Sequence, residues 1–226
     1  MIVIIFQALL GMWTVTLKLH PVIVSLHFLG GLTLLGLLTS VKAHQHWDRL
    51  DTPSLPIGLS HAIHLLIIIY ILQVMLGAWV STNYAGLSCS STLLTCSQAR
   101  SWSDLSLMLN KTWMIWSSPD PLAWYSPSGK AWIQVLHRYN ALILGASLLY
   151  VRAQIWQRSR TIMTLGGFID LALVLYGIQV LIGMILIWTS LPLWAAVCHN
   201  IVAALMSLPL IFLWTYTLHK AKTETT

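Results

Sequence analysis

The sequence predicts an all-α polytopic membrane protein of about six transmembrane helices, and three observations predict it. Of the 226 residues, 57% are hydrophobic and only 8% are charged, with a mean hydropathy of +0.77. A soluble domain of this size carries about 25% charged residues, so lipid is the solvent for most of this surface. The second observation is six apolar stretches, at about 1–17, 21–41, 60–82, 132–153, 164–190 and 193–218. Each approaches the roughly 20 residues that a helix rising about 1.5 Å per residue needs to cross a 30 Å core. The third is the 12 tryptophans, whose apolar rings and single N–H suit the headgroup region.

The first stretch, Met1 to Leu17, resembles the apolar part of a signal peptide. It has no basic n-region and no small-residue cleavage site, and it runs directly into the next stretch. It therefore reads as a retained helix, short enough that its start is expected upstream of Met1. The connections fall at 18–20, 42–59, 83–131, 154–163 and 191–192. Lys42 and Arg49 occupy one of them, Arg152, Arg158 and Arg160 flank another, and Lys220 and Lys222 lie in the tail. Alternation puts these three segments on one face, which the positive-inside rule makes cytoplasmic. Lys18, Arg100, Lys111 and Lys130 are spread over the opposite face. Both termini are then cytoplasmic and the 83–131 loop lies outside, in a bacterial inner membrane. Trp13, Trp79, Trp132, Trp188 and Trp194 form an outer belt, with Trp156 and Trp214 near the inner face. The net charge of +6 orients helices and does not point to nucleic acid.

An internal repeat cuts across this plan. Gln7-Ala-Leu-Leu-Gly11-Met12 recurs as Gln179-Val-Leu-Ile-Gly183-Met184 and again as Gln73-Val-Met-Leu-Gly77. In the first and last copies a histidine follows 20 residues after the glutamine, at His27 and His199, and a proline marks each hairpin, at Pro21 and Pro192. A shift of 172 residues between two hairpins implies duplication. A packing motif of small glycine and hydrogen-bonding glutamine would explain those two residues alone, but not the matched histidines.

Depth separates the nine histidines. His20, His44, His46, His61, His64 and His219 read as interfacial residues. His27, His137 and His199 each lie five to seven residues inside the outer end of a stretch, roughly 8–10 Å deep at 1.5 Å per residue. An ionisable group at that depth needs a partner and is a functional-site candidate by default; a hydrogen-bonded core histidine is the plainer alternative for any one of them. No carboxylate accompanies them, since Asp170 falls near the inner end of its stretch. Zinc hydrolysis sites usually add a carboxylate, a thiolate or clustered histidines open to water. Bis-imidazole haem needs two neutral histidines on facing helices, an apolar slot and a cation for the propionates. Arg138 supplies such a cation, unless it snorkels to lipid phosphate.

These residues also carry a resemblance. Gln7 through Thr16 with His20-Pro-Val-Ile-Val-Ser-Leu-His27, Leu76-Gly-Ala-Trp-Val-Ser-Thr-Asn-Tyr-Ala-Gly-Leu-Ser-Cys89, His137-Arg138, and Leu191-Pro192 through His199-Asn200 are similar, in that order, to the haem A synthase family. The resemblance covers nearly the whole chain. It implies two pseudo-symmetric four-helix haem bundles with eight spans, of which this chain starts at the third. Residues 1–59 would then be the remnant of an incomplete N-terminal bundle plus a cytoplasmic loop, and 60–226 the C-terminal bundle with outer loop 83–131.

The implied activity is an oxidoreductase that converts the ring D methyl of haem O to formyl, giving haem A for terminal cytochrome oxidase. By motif, His137 and His199 match the two iron ligands of the C-terminal bundle, with haem b as cofactor and Arg138 beside it. His27 matches one N-terminal ligand. Its family partner stands in a Glu-x-x-His-Arg motif, which these residues do not contain; their only glutamate is Glu224, so no catalytic residue is assigned. A non-enzymatic bis-His b-type cytochrome, or a degenerate synthase fragment, is the alternative. Implied partners are haem O, the haem O synthase, an electron donor, the bilayer and, in a homo-oligomer, a second copy.

Cys89 and Cys96 fall in the outer loop, where the family also has a cysteine pair. Facing an oxidising compartment they could form a disulfide; two unlinked thiols are the alternative. Cys198, next to His199, reads as a small packing residue, because adjacent helical positions point about 100° apart.

Overall fold

The computed structural model describes residues 1–17, 20–50, 54–89, 96–99, 101, 103–106, 126–157 and 163–223, without the side chains of Pro21, Met163 and 219–223. Lys18, Arg100, Lys111, Arg158, Arg160 and Glu224 lie outside the described residues, as do the side chains of His219, Lys220 and Lys222. The architecture is all-α, with no strand among the described residues.

Six long helices match the six apolar stretches in order: α1 (Ile2–Thr16), α2 (Pro21–Trp47), α3 (Ile57–Thr82), α4 (Pro127–Trp156), α5 (Met163–Trp188) and α6 (Leu193–Thr223). Four of them, α2, α3, α5 and α6, are long and apolar enough to cross a membrane. The chain is a multi-pass membrane protein. Helix α1 has 15 residues, and α4, at 30 residues, carries Lys130, Arg138 and Arg152. Several helices outrun their apolar stretches: α2 continues to Trp47, α4 begins at Pro127 and α6 ends at Thr223. Hydropathy marks where lipid is, whereas backbone hydrogen bonding carries a helix on through the interface.

Local chemistry fixes the ends. Proline opens α2 and α4, at the position where a missing N–H costs nothing. Helix α3 closes with Tyr84 at φ 52° and a bond from Ala85 N–H to the Val80 carbonyl, 2.9 Å. Helix α5 closes likewise, with Ser190 and Leu191 at φ 60° and 63° and Leu191 N–H on Leu186 O at 2.8 Å. Both are left-handed closures that satisfy end carbonyls. Within the apolar helices, hydroxyls turn back on their own backbone, as Thr14 does to Gly11 O at 2.6 Å and Thr39 to Leu35 O at 2.7 Å. That removes a polar group from lipid without a partner helix.

The chain forms two compact units, each discontinuous in sequence. The first comprises Met1–Gly31 and Leu72–Ala141, the second Leu32–Ile71 and Leu142–Thr226. The division at 59/60 expected from the resemblance concerns the order of bundles along the chain; each unit takes residues from both sides of it.

In the first unit Ile133 is buried among Val22, Trp79, Val80, Leu105, Trp132 and Leu136. Residues between α3 and α4 are fastened to α4 by side chains. Gln134 donates to Gly86 O at 2.7 Å, Trp132 Nε1 to Ser101 O at 3.0 Å, and Ser128 to Asp104 Oδ2 at 2.7 Å. Cys89 and Cys96 are joined by a disulfide, Cα–Cα 5.1 Å.

In the second unit, fully buried Trp47 donates to Phe212 O at 3.1 Å and stands edge-on to Phe168, Phe212 and Tyr216. His46 joins this aromatic cluster. Tyr70 reaches from α3 to Ala203 O on α6, 2.7 Å. Arg152 of α4 pairs with Asp170 of α5 and lies 4.8 Å from the centre of the Trp156 ring.

Candidate functional site

Each copy of the Gln-x-x-x-Gly motif presents glutamine and glycine one helical turn apart, on one face. In all three copies the glycine faces a histidine ring on another helix. A Cβ at Gly11 would stand 3.2 Å from Cε1 of His27, one at Gly77 3.1 Å from Cε1 of His137, and one at Gly183 3.4 Å from Cε1 of His199. Carbon atoms settle best at about 3.5–4.0 Å. The absent side chain is therefore what lets an imidazole edge rest on the neighbouring backbone. The repeat is thus a histidine seat, and the middle copy has its histidine too. His137 stands 64 residues after Gln73 because the long 83–131 connection intervenes.

The glutamines behave differently in the three seats. Gln7, buried, lies over Gly30, where a Cβ would stand 1.6 Å from its amide nitrogen. Gly30 is three residues past His27, on the same helical face. Gln73 contacts His137, with its amide nitrogen 3.1 Å from Nδ1 and 3.4 Å from Nε2. Asn140, buried and three residues past His137, donates to Gln73 Oε1 at 2.8 Å. In the third seat Gln179 Oε1 and His199 Nδ1 are both buried with no hydrogen-bond partner, and so is His27 Nδ1 in the first. Polar atoms shielded from solvent normally have a partner, so these atoms are open to one.

His27 and His137 belong to the first compact unit and His199 to the second. Among the described residues, no three His, Cys, Asp or Glu side chains group as a metal site. Arg138 donates to Cys89 O at 3.1 Å, which ties α4 to the disulfide loop. His64 contacts Ser60 O at 2.8 Å and Thr217 at 3.5 Å, a structural role at the start of α3. Cys198 is exposed; it fills no interior gap, which corrects its reading as a packing residue. Asn140 and Gly30 escaped the sequence reading. Their signal was a spacing of three from a deep histidine.

The haem A synthase of Shewanella oneidensis is 31% identical over 224 aligned residues, covering 94% of this chain and 64% of that protein. The chain thus spans less than two thirds of that relative's length. Residues 1–211 match the family described as cytochrome oxidase assembly protein. The seats of His27, His137 and His199 all fall inside that match, and the chain belongs to this family.

Proposed function

We propose that this chain is a haem A synthase-type protein of a bacterial inner membrane, with both termini cytoplasmic, in which His137 and His199 would hold the iron of a haem b. The observation that carries the reading is the seat itself. Each ring rests against a glycine backbone, and His199 keeps a buried Nδ1 with no partner. Such residues fit haem better than a bare ion. The porphyrin brings four nitrogens, so one or two imidazoles suffice, whereas no group of three protein donors occurs among the described residues.

Haem, when bound, supplies a redox-active iron. The chain's residues bind and orient it. His137 and His199 hold the iron, and the glycine seats fix their rings. Arg138, which donates to Cys89 O, would bring its guanidinium charge to a propionate. The long apolar helices exclude water around them. The reaction we assign is oxidation of the haem O methyl group to formyl, as the name of the Shewanella relative suggests. The partners this reading implies are haem O, the haem O synthase that would supply it, and an electron donor.

The test is spectroscopic. The purified chain, loaded with haemin, should show a six-coordinate low-spin b-type spectrum. His137→Ala and His199→Ala should each abolish it. An unchanged spectrum in both variants sinks the ligand assignment.

A further inference from the structure

Away from the histidine seats, the second unit opens a shallow cleft of about 440 Å³ between the end of α4 and the start of α5. Its lining divides by position along the two helices. Arg152, Gln157 and Asp170 are the polar part, toward the connection between the helices. Leu149 and Leu173 each stand one turn further into their helix, three residues before Arg152 and three after Asp170. Trp156 flanks the mouth, 75% exposed, with the Arg152 guanidinium 4.8 Å from the centre of its ring. An exposed tryptophan and an ion pair near helix ends belong at the membrane interface. Polar groups at the helix ends with apolar ones a turn deeper repeat the order of a phospholipid, headgroup first and acyl chain beneath.

The ion pair uses only part of each partner. Arg152 engages Asp170 Oδ1 through Nε alone. Among the described residues, its two terminal nitrogens meet no acceptor and Asp170 Oδ2 meets no donor. Both side chains stay accessible, at 25% and 50% exposed. The cleft therefore presents the remaining N–H donors of a guanidinium directly beside a carboxylate oxygen. A group complementary to both needs an anionic oxygen and a cationic N–H donor a short arm apart. A phosphoethanolamine headgroup has the two joined by a pair of carbons. Its phosphate suits the guanidinium fork, and its primary ammonium can donate to Oδ2. Phosphocholine carries the same charges, but its quaternary nitrogen has no N–H to give. Phosphoglycerol brings an anion without a cation and meets repulsion from Asp170.

We infer that the cleft of Arg152, Asp170 and Trp156 is a binding site for a phospholipid with a phosphoethanolamine headgroup, its acyl chain lying over Leu149 and Leu173. The site shares no residue with the histidine seats and does not depend on haem.

The experiment titrates the full chain in detergent with dioleoyl phosphatidylethanolamine, phosphatidylcholine and phosphatidylglycerol in parallel, counting bound lipid by native mass spectrometry. The unaltered chain should bind the ethanolamine lipid about tenfold more tightly than the choline lipid, the scale of one charge-assisted hydrogen bond at a wet site. Asp170→Ala should erase that preference, because the acceptor for the ammonium is gone. Arg152→Gln should weaken the ethanolamine and choline lipids alike, because both present the same phosphate. Equal affinity of the unaltered chain for these two lipids overturns the site, and so does tightest binding of the glycerol lipid. A preference that survives Asp170→Ala places the lipid elsewhere and overturns it too. The first comparison needs no variant, so a variant that fails to fold does not shelter the proposal.

Discussion

The ring of His137 rests against the backbone of Gly77, where a Cβ would stand 3.1 Å from Cε1. The same relation holds at 3.2 Å for Gly11 and His27 and at 3.4 Å for Gly183 and His199. These distances order the cost of adding a methyl group. Gly77→Ala should disturb its histidine most, and Gly183→Ala least, since 3.4 Å is close to ordinary contact. Overpacking costs roughly 1–3 kcal/mol, about 5- to 150-fold if it falls on binding. Haemin titration should therefore show a clear loss in Gly77→Ala and little in Gly183→Ala. Equal affinities in both would show that the glycines do not shape the seat.

The helices were legible in the sequence because roughly 20 apolar residues in a row have few alternatives to a transmembrane helix. Their ends were not. The helices run on to Trp47, back to Pro127 and out to Thr223, where backbone hydrogen bonds persist after the apolar signal has ended. The repeat was legible as a motif, but its physical meaning was not. Only the fold shows that the glycine of each copy touches a histidine. The separation of 64 between Gln73 and His137 hid the middle pair, and Asn140 carries no sequence signal beyond its spacing from His137. The bond from Arg138 to Cys89 O joins positions that no motif relates. Depth alone did single out the three deep histidines, since an ionisable group inside a span needs a partner.

The orientation proposed from basic residues makes the 83–131 loop external. Reporter fusions at Ser101 and Thr225 should report opposite compartments. A common compartment for both would refute the arrangement. With the loop outside, Cys89 and Cys96 should resist thiol labelling until reduced, as their disulfide requires.

The same disulfide closes a short loop, with a sequence separation of 7. Chain entropy gives such a closure about 2 kcal/mol. Its loss should release the Cys89 carbonyl that Arg138 holds. Cys89→Ser with Cys96→Ser should lower thermal stability by about that amount and weaken haemin binding, with Arg138→Leu weakening binding in an intact disulfide background. Unaltered haemin affinity in both would remove Arg138 and its loop from the site.

Arg152 and Asp170 form an ion pair whose side chains are 25% and 50% exposed. At that exposure, water or headgroups screen the pair, and such pairs contribute about 0–1 kcal/mol. Asp170→Asn should therefore shift thermal stability little and leave the haem spectrum as in wild type. A loss of low-spin haem in Asp170→Asn would mean that this carboxylate reaches the site, contrary to its place beside Arg152.

His27 is seated on Gly11 like its counterparts, and its Nδ1, like that of His199, is buried without a hydrogen-bond partner, but its motif partner, Glu-x-x-His-Arg, does not occur in these 226 residues. A single axial imidazole leaves one iron position open. It should hold haem more weakly than a bis-imidazole pair, and in a high-spin state. His27→Ala should then barely alter the low-spin spectrum, in contrast to His137→Ala and His199→Ala. The second half of the prediction concerns conversion. Oxidising a methyl group to formyl needs a group at the reacting carbon, and the resemblance places the relevant carboxylate in the motif these residues lack. Expressed by themselves in cells without another synthase, residues 1–226 should yield haem O and no haem A on chromatography of extracted haems. Adding two spans that carry Glu-x-x-His-Arg should restore conversion, and His27→Ala should abolish it again in that background. Haem A made by residues 1–226 alone would show that the reacting group lies among the residues described here, and that His27 and its seat do not need the missing partner.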